Sequence, residues 1–346
     1  MLEIQNLSIR LGEFSLHDVT LTVQKGQYLC LAGPTGAGKT ILLECIAGLH
    51  RPDHGLIRLH GHDVTSLPPE ARCIGYVPQD YALFPHMTVF ENIAYGLRER
   101  GLLKDEIAYK VRNAAETMQI APLLDRSILH LSGGERQRTA LARALVLNCE
   151  LLILDESLSA LDVITSKELS LQLADLHRRL GLTVIHVTHD FDEAFCLATH
   201  LGICDAGRLL QVDTVEEVFT RPSCRTVAEF LGIVNVFPRQ GVDPTICPVA
   251  SQLYDDPVQA LGGKCLCVRP DRMKISRDGA TVPGLTFPSS VRQVRWLGPI
   301  HEVTLDMGVP LVATISQQEQ EALHLLPGEM VNVHVDKDAV HVLEDR

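Results

Sequence analysis

A chain of 346 residues is long enough for two domains with cores of their own, and 31 basic against 43 acidic side chains leave a net charge of −12. That balance excludes a nucleic-acid partner held by bulk electrostatics, and no apolar run approaches the ~18 residues of a membrane-spanning helix. The ten cysteines are scattered through apolar segments, as at Cys45, Cys149 and Cys196, so reduced, buried thiols in a cytosolic protein are expected. Only Cys265 and Cys267 lie close in sequence, a spacing that puts both thiols on one strand face and suits no zinc site.

The alternating start Met1-Leu2-Glu3-Ile4 reads as a first strand and not as a secretory signal. Residues 1–30 read as strands turning at Gly12 and Lys25-Gly26. The apolar run Tyr28–Ala32 then feeds Gly33-Pro34-Thr35-Gly36-Ala37-Gly38-Lys39-Thr40, and a helical pattern follows from Ile41 to Leu49. A strand, a glycine-rich loop and a helix in that order are the context a phosphate-binding loop needs. Glycines allow the tight turn that aims several N–H groups at one phosphate, and the helix adds its positive dipole end. Lys39 suits the β- and γ-phosphates, and the Thr40 hydroxyl suits a Mg²⁺ shell. A nucleoside triphosphate is the expected ligand.

Short strands broken by Pro52, Gly55, Gly61 and Pro68-Pro69 fill residues 51–80. A capping box, Thr88-x-x-Glu91, launches a helix toward Leu97, and Ile107, Val111, Ala114 and Met118 mark another from about Asp105 to Gln119. Residues 88–130 therefore form a helical insert. Next comes Leu131-Ser132-Gly133-Gly134-Glu135-Arg136-Gln137-Arg138, where Ser132 and two glycines precede a helix running to Leu147. Such a capped N-terminus can face an anion, although by itself it reads more readily as an ordinary N-cap.

The strand Leu151–Leu154 is apolar on both faces, as the middle of a parallel sheet requires, and ends in Asp155-Glu156. Asp155 is placed to hold Mg²⁺ through water, and Glu156, one step further, to polarise an attacking water. A helix from Ser166 to Leu180 stops at Gly181. The next buried strand, Leu182–Val187, runs into Thr188-His189-Asp190, which makes His189 a candidate γ-phosphate sensor. This alternation predicts an α/β domain with a largely parallel sheet, ending near Gly232. Beyond it prolines recur (Pro238, Pro244, Pro248, Pro257, Pro270, Pro283, Pro288). Short β-like runs at Lys264–Val268, Val291–Trp296 and Val331–Val335 replace helices there, apart from one near Gln317–Leu325. The expected domains are 1–232, with a helical subdomain at about 88–130, and 235–346.

The set Gly33–Thr40, Gln79, Leu131–Gln137, Leu151–Glu156, Ser159-Ala160-Leu161-Asp162 and His189 resembles the ATP-binding subunits of ABC transporters, six motifs in the right order across some 230 residues. The resemblance implies an α/β P-loop ATPase domain, a mixed sheet with a helical subdomain, followed by a β-rich OB-like domain of the TOBE/MOP type. It implies ATP and Mg²⁺ as cofactors and a homodimer in which Ser132 and Gly134, with Gly133 and Glu135 beside them, meet the γ-phosphate of ATP on the opposite subunit's loop. Asp162 would couple the two sites, and Gln79 would sense Mg²⁺ and the attacking water. Tyr81–Met87 and the helical insert would grip a membrane permease, placing the chain at the cytoplasmic face of the cell membrane and linking it indirectly to an external substrate-binding protein.

Two positions depart from the family pattern. Ser157 stands where a proline usually follows the catalytic glutamate, a turn that loses stiffness. Leu11 stands where an aromatic usually stacks on adenine, so either an aliphatic side chain or Phe14 takes that role.

The tail resembles regulatory domains on importers of oxyanions, iron, polyamines and sugars, with Val268-Arg269-Pro270-Asp271 as a recurring turn. Thr35 and Thr40, together with Gly308-Val309-Pro310-Leu311, Leu326-Pro327-Gly328 and Val340-His341-Val342-Leu343, look like archaeal-type molybdate/tungstate subunits. Sulfate or thiosulfate, ferric iron, polyamine and sugar remain alternative cargoes, and a non-transport ABC ATPase is a further reading. Ser289-Ser290-Val291-Arg292 resembles a molybdate-binding turn, with Gln293 in place of Asn. Hydroxyls, turn N–H groups and the Arg292 guanidinium could surround a tetrahedral dianion, and the same residues also suit the plain start of a strand. A regulatory oxyanion bound there would act by population shift.

Overall fold

Alternation of buried apolar and exposed polar side chains shapes the first two strands. β1 (Leu2–Leu11) and β2 (Phe14–Val23) pair antiparallel across the turn at Gly12, with Leu11 opposite Phe14. In the computed structural model, which describes residues 1–158, 162–238, 265–277, 285–306, 308, 310–336 and 339–343, they join β4 (His54–Leu59) and β5 (His62–Asp63) in a sheet of order β2-β1-β4-β5. Ser159, Ala160, Leu161, Pro244, Pro248, Pro257, Lys264, Pro283 and Val309, named above, lie outside the described residues.

The second sheet contains β3 (Tyr28–Ala32), β6 (Ile74–Val77), β7 (Leu151–Asp155), β8 (Thr183–Val187), β9 (His200–Asp205) and β10 (Arg208–Thr214), in the order β10-β9-β3-β8-β7-β6. All its neighbours run parallel except β10. β3, β7 and β8 are buried along their whole length, which matches continuous apolar runs covered on both faces. Between the two sheets α1 (Lys39–Ala47) contributes Leu42, Leu43 and Ile46 to a core with Leu29, Leu31, Ile57 and Ile153. The C-terminal end of α1 is closed by Arg72, whose guanidinium donates to the carbonyls of Cys45 and Ile46 at 2.7 and 2.9 Å and to those of Thr65 and Leu67.

The capping box expected at Thr88 starts α2 (Val89–Glu99), and the N-cap read at Ser132 proves to be a second capping box at the start of α4 (Gly133–Leu145). With α3 (Lys104–Thr117) these helices pack on one another, so the helical layer includes the helix that follows Ser132. α5 (Val163–Leu180), stopped by Gly181 in the left-handed conformation, packs against α6 (Phe191–Leu197).

The chain divides into two compact units, Met1–Val215 and Glu216–Arg346. Composition changes only near residue 235, but the short helices α7 (Val215–Thr220) and α8 (Arg225–Phe230) precede that change. α8 packs by Ala228, with Ile233, on Cys265, Cys267 and Leu343, which is why contacts divide the chain earlier than composition does. The second unit has a three-stranded sheet of β11 (Asn235–Pro238), β12 (Cys265–Val268) and β18 (Val340–Leu343), in order β11-β12-β18. A five-stranded sheet orders β13 (Met273–Ser276), β17 (Met330–Val335), β14 (Leu285–Trp296), β15 (Ile300–Asp306) and β16 (Pro310–Ser316) as β13-β17-β14-β15-β16. α9 (Gln317–Leu323), capped by Ser316, falls where one helix is expected. Phe237, Phe287, Val303 and Val333 belong to the apolar core of this unit. Cys265 and Cys267 are both buried, whereas Cys196 and Cys73 are exposed and Cys149 is half-buried, which corrects the expectation of uniformly buried thiols. Cys196 lies on the outer side of a short amphipathic helix, and Cys73 and Cys149 sit just before strands and not within them.

Candidate active site

Parallel strands expose their carboxyl ends at one edge of a sheet, and the order β3-β8-β7-β6 sets four of those ends side by side. After β3 comes Gly33–Thr40, after β8 Thr188-His189, after β7 Asp155-Glu156, and after β6 Pro78-Gln79. Residues as far apart in sequence as Gly33 and His189 thus meet because of strand order alone.

The loop itself is built around close backbone approaches. A Cβ on Gly33 would lie 2.0 Å from the Cys204 carbonyl oxygen, and one on Gly38 would lie 2.5 Å from the Phe14 ring. Pro34, Thr35 and Gly36 are exposed, while Ala37 is buried in the core. Gly38 caps α1 without any side-chain acceptor for the first N–H groups, the arrangement that suits a phosphate. Lys39 is buried, and its ammonium donates to the carbonyls of Gly33 and Pro34 at 2.8 and 2.9 Å, so its charge sits over the loop.

Beside the loop the Thr40 hydroxyl donates to Asp155 Oδ1 at 3.1 Å, and the Tyr76 hydroxyl donates to Oδ2 at 3.4 Å. Asp155 is buried, and that burial raises its carboxyl above the ordinary range against the pull of the Thr40 bond. A buried carboxylate next to a hydroxyl oxygen is a hard-oxygen donor pair, which fits a small dication that takes its remaining ligands from phosphates and water. Glu156 leaves the strand at a positive φ of 44°, held by its N–H donating to the Val187 carbonyl at 3.0 Å. Its Oε2 accepts from the Gln79 amide at 3.2 Å. The geometry therefore brings together Lys39, Thr40, Asp155, Glu156 and Gln79. Ser157 is buried.

His189 is exposed after β8, and the residue before it is firmly tied down. The Thr188 hydroxyl donates to Glu193 Oε2 at 2.6 Å and accepts from the Asp190 N–H, while Glu193 Oε1 accepts from Ser166 of α5 at 3.1 Å. Burial raises the Glu193 carboxyl above its ordinary value despite those two hydroxyl donors. Phe14 packs on Gly38 and Leu11 is half-buried opposite it, so the Phe14 ring is committed to the floor of the loop.

Ser132, Gly133, Gly134 and Glu135 form a second, separate corner. The Ser132 hydroxyl accepts from the Glu135 N–H at 3.3 Å, and the Glu135 carboxylate accepts from the Ser132 N–H at 2.7 Å. Gly134 is buried against α5, where a Cβ would meet Thr165 Cγ2 at 2.9 Å. Asp162 caps α5 by accepting from the N–H and hydroxyl of Thr165, bonds that hold its carboxyl below the ordinary range. Among the described residues these groups bond to their own helix starts and not to residues 33–40.

Sequence motifs do not single out Glu193 or Arg143, because each acts on distant backbone or on a neighbouring helix. Arg143 of α4 donates to the carbonyls of Tyr81 and Ala82 at 2.7 and 2.6 Å and lies 5.6 Å from the centre of the Phe84 ring. Tyr81 and Ala82 both have positive φ, so the guanidinium fixes the turn just after Gln79. The only sequence signal for Glu193 is an acid four residues after His189 on a helix start. In the second unit Ser289 is buried on the core side of β14, Ser290 is half-buried, and Arg292 is exposed and paired with Asp306 at 2.7 Å. The structure does not gather these three around one point.

Two family models match the chain: ABC transporter over residues 16–159 and TOBE domain over residues 266–343. The chain is 41% identical over 345 residues to the molybdate/tungstate import ATP-binding protein WtpC of Pyrococcus horikoshii, covering 99% of each chain. It is 38% identical over 316 residues to a spermidine/putrescine import ATP-binding protein of Pseudomonas aeruginosa, covering 87% of this chain and 86% of the relative. A solved ATP-binding cassette, a dimer in a post-hydrolysis state bound to ADP and Pi, superposes with a TM-score of 0.57 at 26% identity, over 62% of this chain and 99% of that one.

Proposed function

Because the chain belongs to the ATP-binding subunits of ABC transporters, which hydrolyse ATP to drive transport, we propose that it energises import of a tetrahedral oxyanion, molybdate or tungstate, through a membrane permease. The carrying observation is a 41% identity that runs through both units and nearly the whole length of a molybdate/tungstate import subunit.

In this reading the N–H groups of Gly33–Thr40 and the Lys39 ammonium bind the β- and γ-phosphates of ATP. Thr40 and Asp155, with Gln79, would hold Mg²⁺, whose charge offsets that building up on the phosphates. Glu156 accepts the proton of the attacking water, the role its place beside Gln79 suits. His189, steadied through Thr188 and Glu193, faces the γ-phosphate. Ser132, Gly133, Gly134 and Glu135 serve the loop of a second copy, with Asp162 between the two sites, so closure needs a homodimer. The chain then works at the inner face of the membrane. It meets an external binding protein only through the permease.

Reconstitution with the cognate permease and binding protein in vesicles tests the cargo. ATP-driven uptake of molybdate, blocked by tungstate and indifferent to sulfate and spermidine, is expected. Uptake of spermidine in preference to molybdate would overturn the cargo assignment while leaving the ATPase assignment standing.

A further inference from the structure

We propose that Cys73 and Cys149 are a reversible oxidation site, closing an intramolecular disulfide in response to a peroxide-class oxidant. The two residues stand at the starts of neighbouring parallel strands, at the end of the sheet opposite the phosphate loop. Ile74 of β6 pairs with Leu151 of β7, so Cys73 lies one position before the first pair and Cys149 two. Both residues precede the strands; continued at a spacing of about 4.8 Å and a rise of about 3.3 Å per residue, the strands would bring positions one step out of register to a Cα separation of about 6 Å. That falls inside the range of about 4.4–6.8 Å that a disulfide spans.

In plain strand geometry such a diagonal pair would face opposite sides of the sheet. Cys73 escapes that alternation because its φ is 52°, a left-handed conformation. Arg72 fastened to four carbonyls on one side and the β6 ladder on the other hold it there. Both cysteines consequently line one cavity of about 380 Å³, together with His60, Asn148 and Glu150. Cys73 is exposed and Cys149 half-buried, which separates a thiol an oxidant can reach from one that waits behind it. Burial keeps the Cys149 thiol protonated above its ordinary range, with the Arg100 cation opposing. The cavity is not a built chelate. The His60 ring is engaged with Glu150 at 2.6 Å, and among the described residues no cluster of three or more His, Cys, Asp or Glu is arranged to hold a metal.

The chemistry balances with hydrogen peroxide as oxidant. The Cys73 thiolate attacks one peroxide oxygen, the O–O bond breaks, and the departing hydroxide takes up a proton as water, leaving a sulfenic acid. The Cys149 sulfur then attacks the Cys73 sulfur, the S–O bond breaks, and the hydroxyl leaves as a second water with the Cys149 proton. Two thiols lose two electrons and the peroxide gains them, and an external dithiol reverses the bond. The new bond staples β6, the edge strand leading to Gln79, to β7.

The full-length native protein, treated with hydrogen peroxide, alkylated and digested, should yield a Cys73–Cys149 linked peptide that dithiothreitol removes, with two fewer alkylatable thiols. Cys73→Ser and Cys149→Ser should each abolish it, and Cys149→Ser should leave Cys73 as a sulfenic acid that dimedone traps. Unchanged ATPase turnover in the untreated variants reports that they fold, and the wild-type peptide map decides the matter if they do not. Persistence of both free thiols after oxidation, or linkage of Cys73 only to Cys196 of another copy, overturns the proposal.

Discussion

Both units tie distant segments together with polar side chains, as Asn235 does with Val268 and Val312 in the second, but the groups around them are placed differently. In Met1–Val215 the polar bonds around the carboxyl ends of the sheet join distant segments, as in Thr40 with Asp155, Gln79 with Glu156, and Glu193 with Thr188 and Ser166. In Glu216–Arg346 the guanidinium groups pair at the surface with acids, as in Arg292 with Asp306, Arg295 with Glu302, and Arg277 with Glu329. Bonds of the first kind orient groups where strands end and leave them poised for chemistry. Exposed pairs of the second kind contribute little to stability. What separates the units is where a polar group is placed, and much less how many each has.

Four substitutions break or sharpen that contrast. Glu156→Gln should keep ATP binding and lower single-turnover hydrolysis by about 10²–10⁴-fold, since it removes a proton acceptor and little volume. Full turnover in this variant would take the base away from Glu156. Gly33→Ala places a Cβ against the Cys204 carbonyl oxygen at a positive φ, and should cost about 1–3 kcal/mol or more in chemical denaturation along with ATP affinity.

Glu193→Gln tests the buried link behind His189 through pH. Its carboxyl is raised above the ordinary 4.5 by burial, so the folded protein holds this proton more tightly than the unfolded chain does. The corresponding stability is full below about 4.5 and is lost as pH climbs through the raised folded value. The variant should lose that part of the slope in a series of melting midpoints, and an unchanged slope would contradict the assignment. Arg292→Ala is the smallest: unchanged melting and an unchanged ATPase response to molybdate are expected. An altered molybdate response would place chemistry in the second unit and dissolve the contrast.

The chain revealed what is local. The phosphate loop, the capping box at Thr88, the N-cap at Ser132 and the acid pair after β7 each occupy a few consecutive residues whose backbone conformation and side-chain chemistry specify one another. Long-range ties were silent. Arg143 reaches Tyr81 and Ala82 more than 60 positions away, and Arg72 closes a helix 26 and 27 positions before it; nothing near either arginine marks it. The segment Ser289–Arg292 shows both kinds of information at once. Its local pattern resembles an anion turn, but Asp306 on the neighbouring strand claims the guanidinium, and β14 buries Ser289 in the core. Composition placed the change of character near residue 235, while packing of α8 on β12 and β18 assigns the short helices to the second unit.

The clamp formed by Arg143 has a mechanical meaning. Ser132 begins α4 and Arg143 lies in its last turn, so one rigid rod carries the capped N-terminus at one end and the grip on Tyr81–Ala82 at the other. Tilting that rod against the sheet must either tear two short bonds to charged nitrogens or drag the turn beside Gln79 with it. The helix is in effect a crank, with Gln79 riding on its handle.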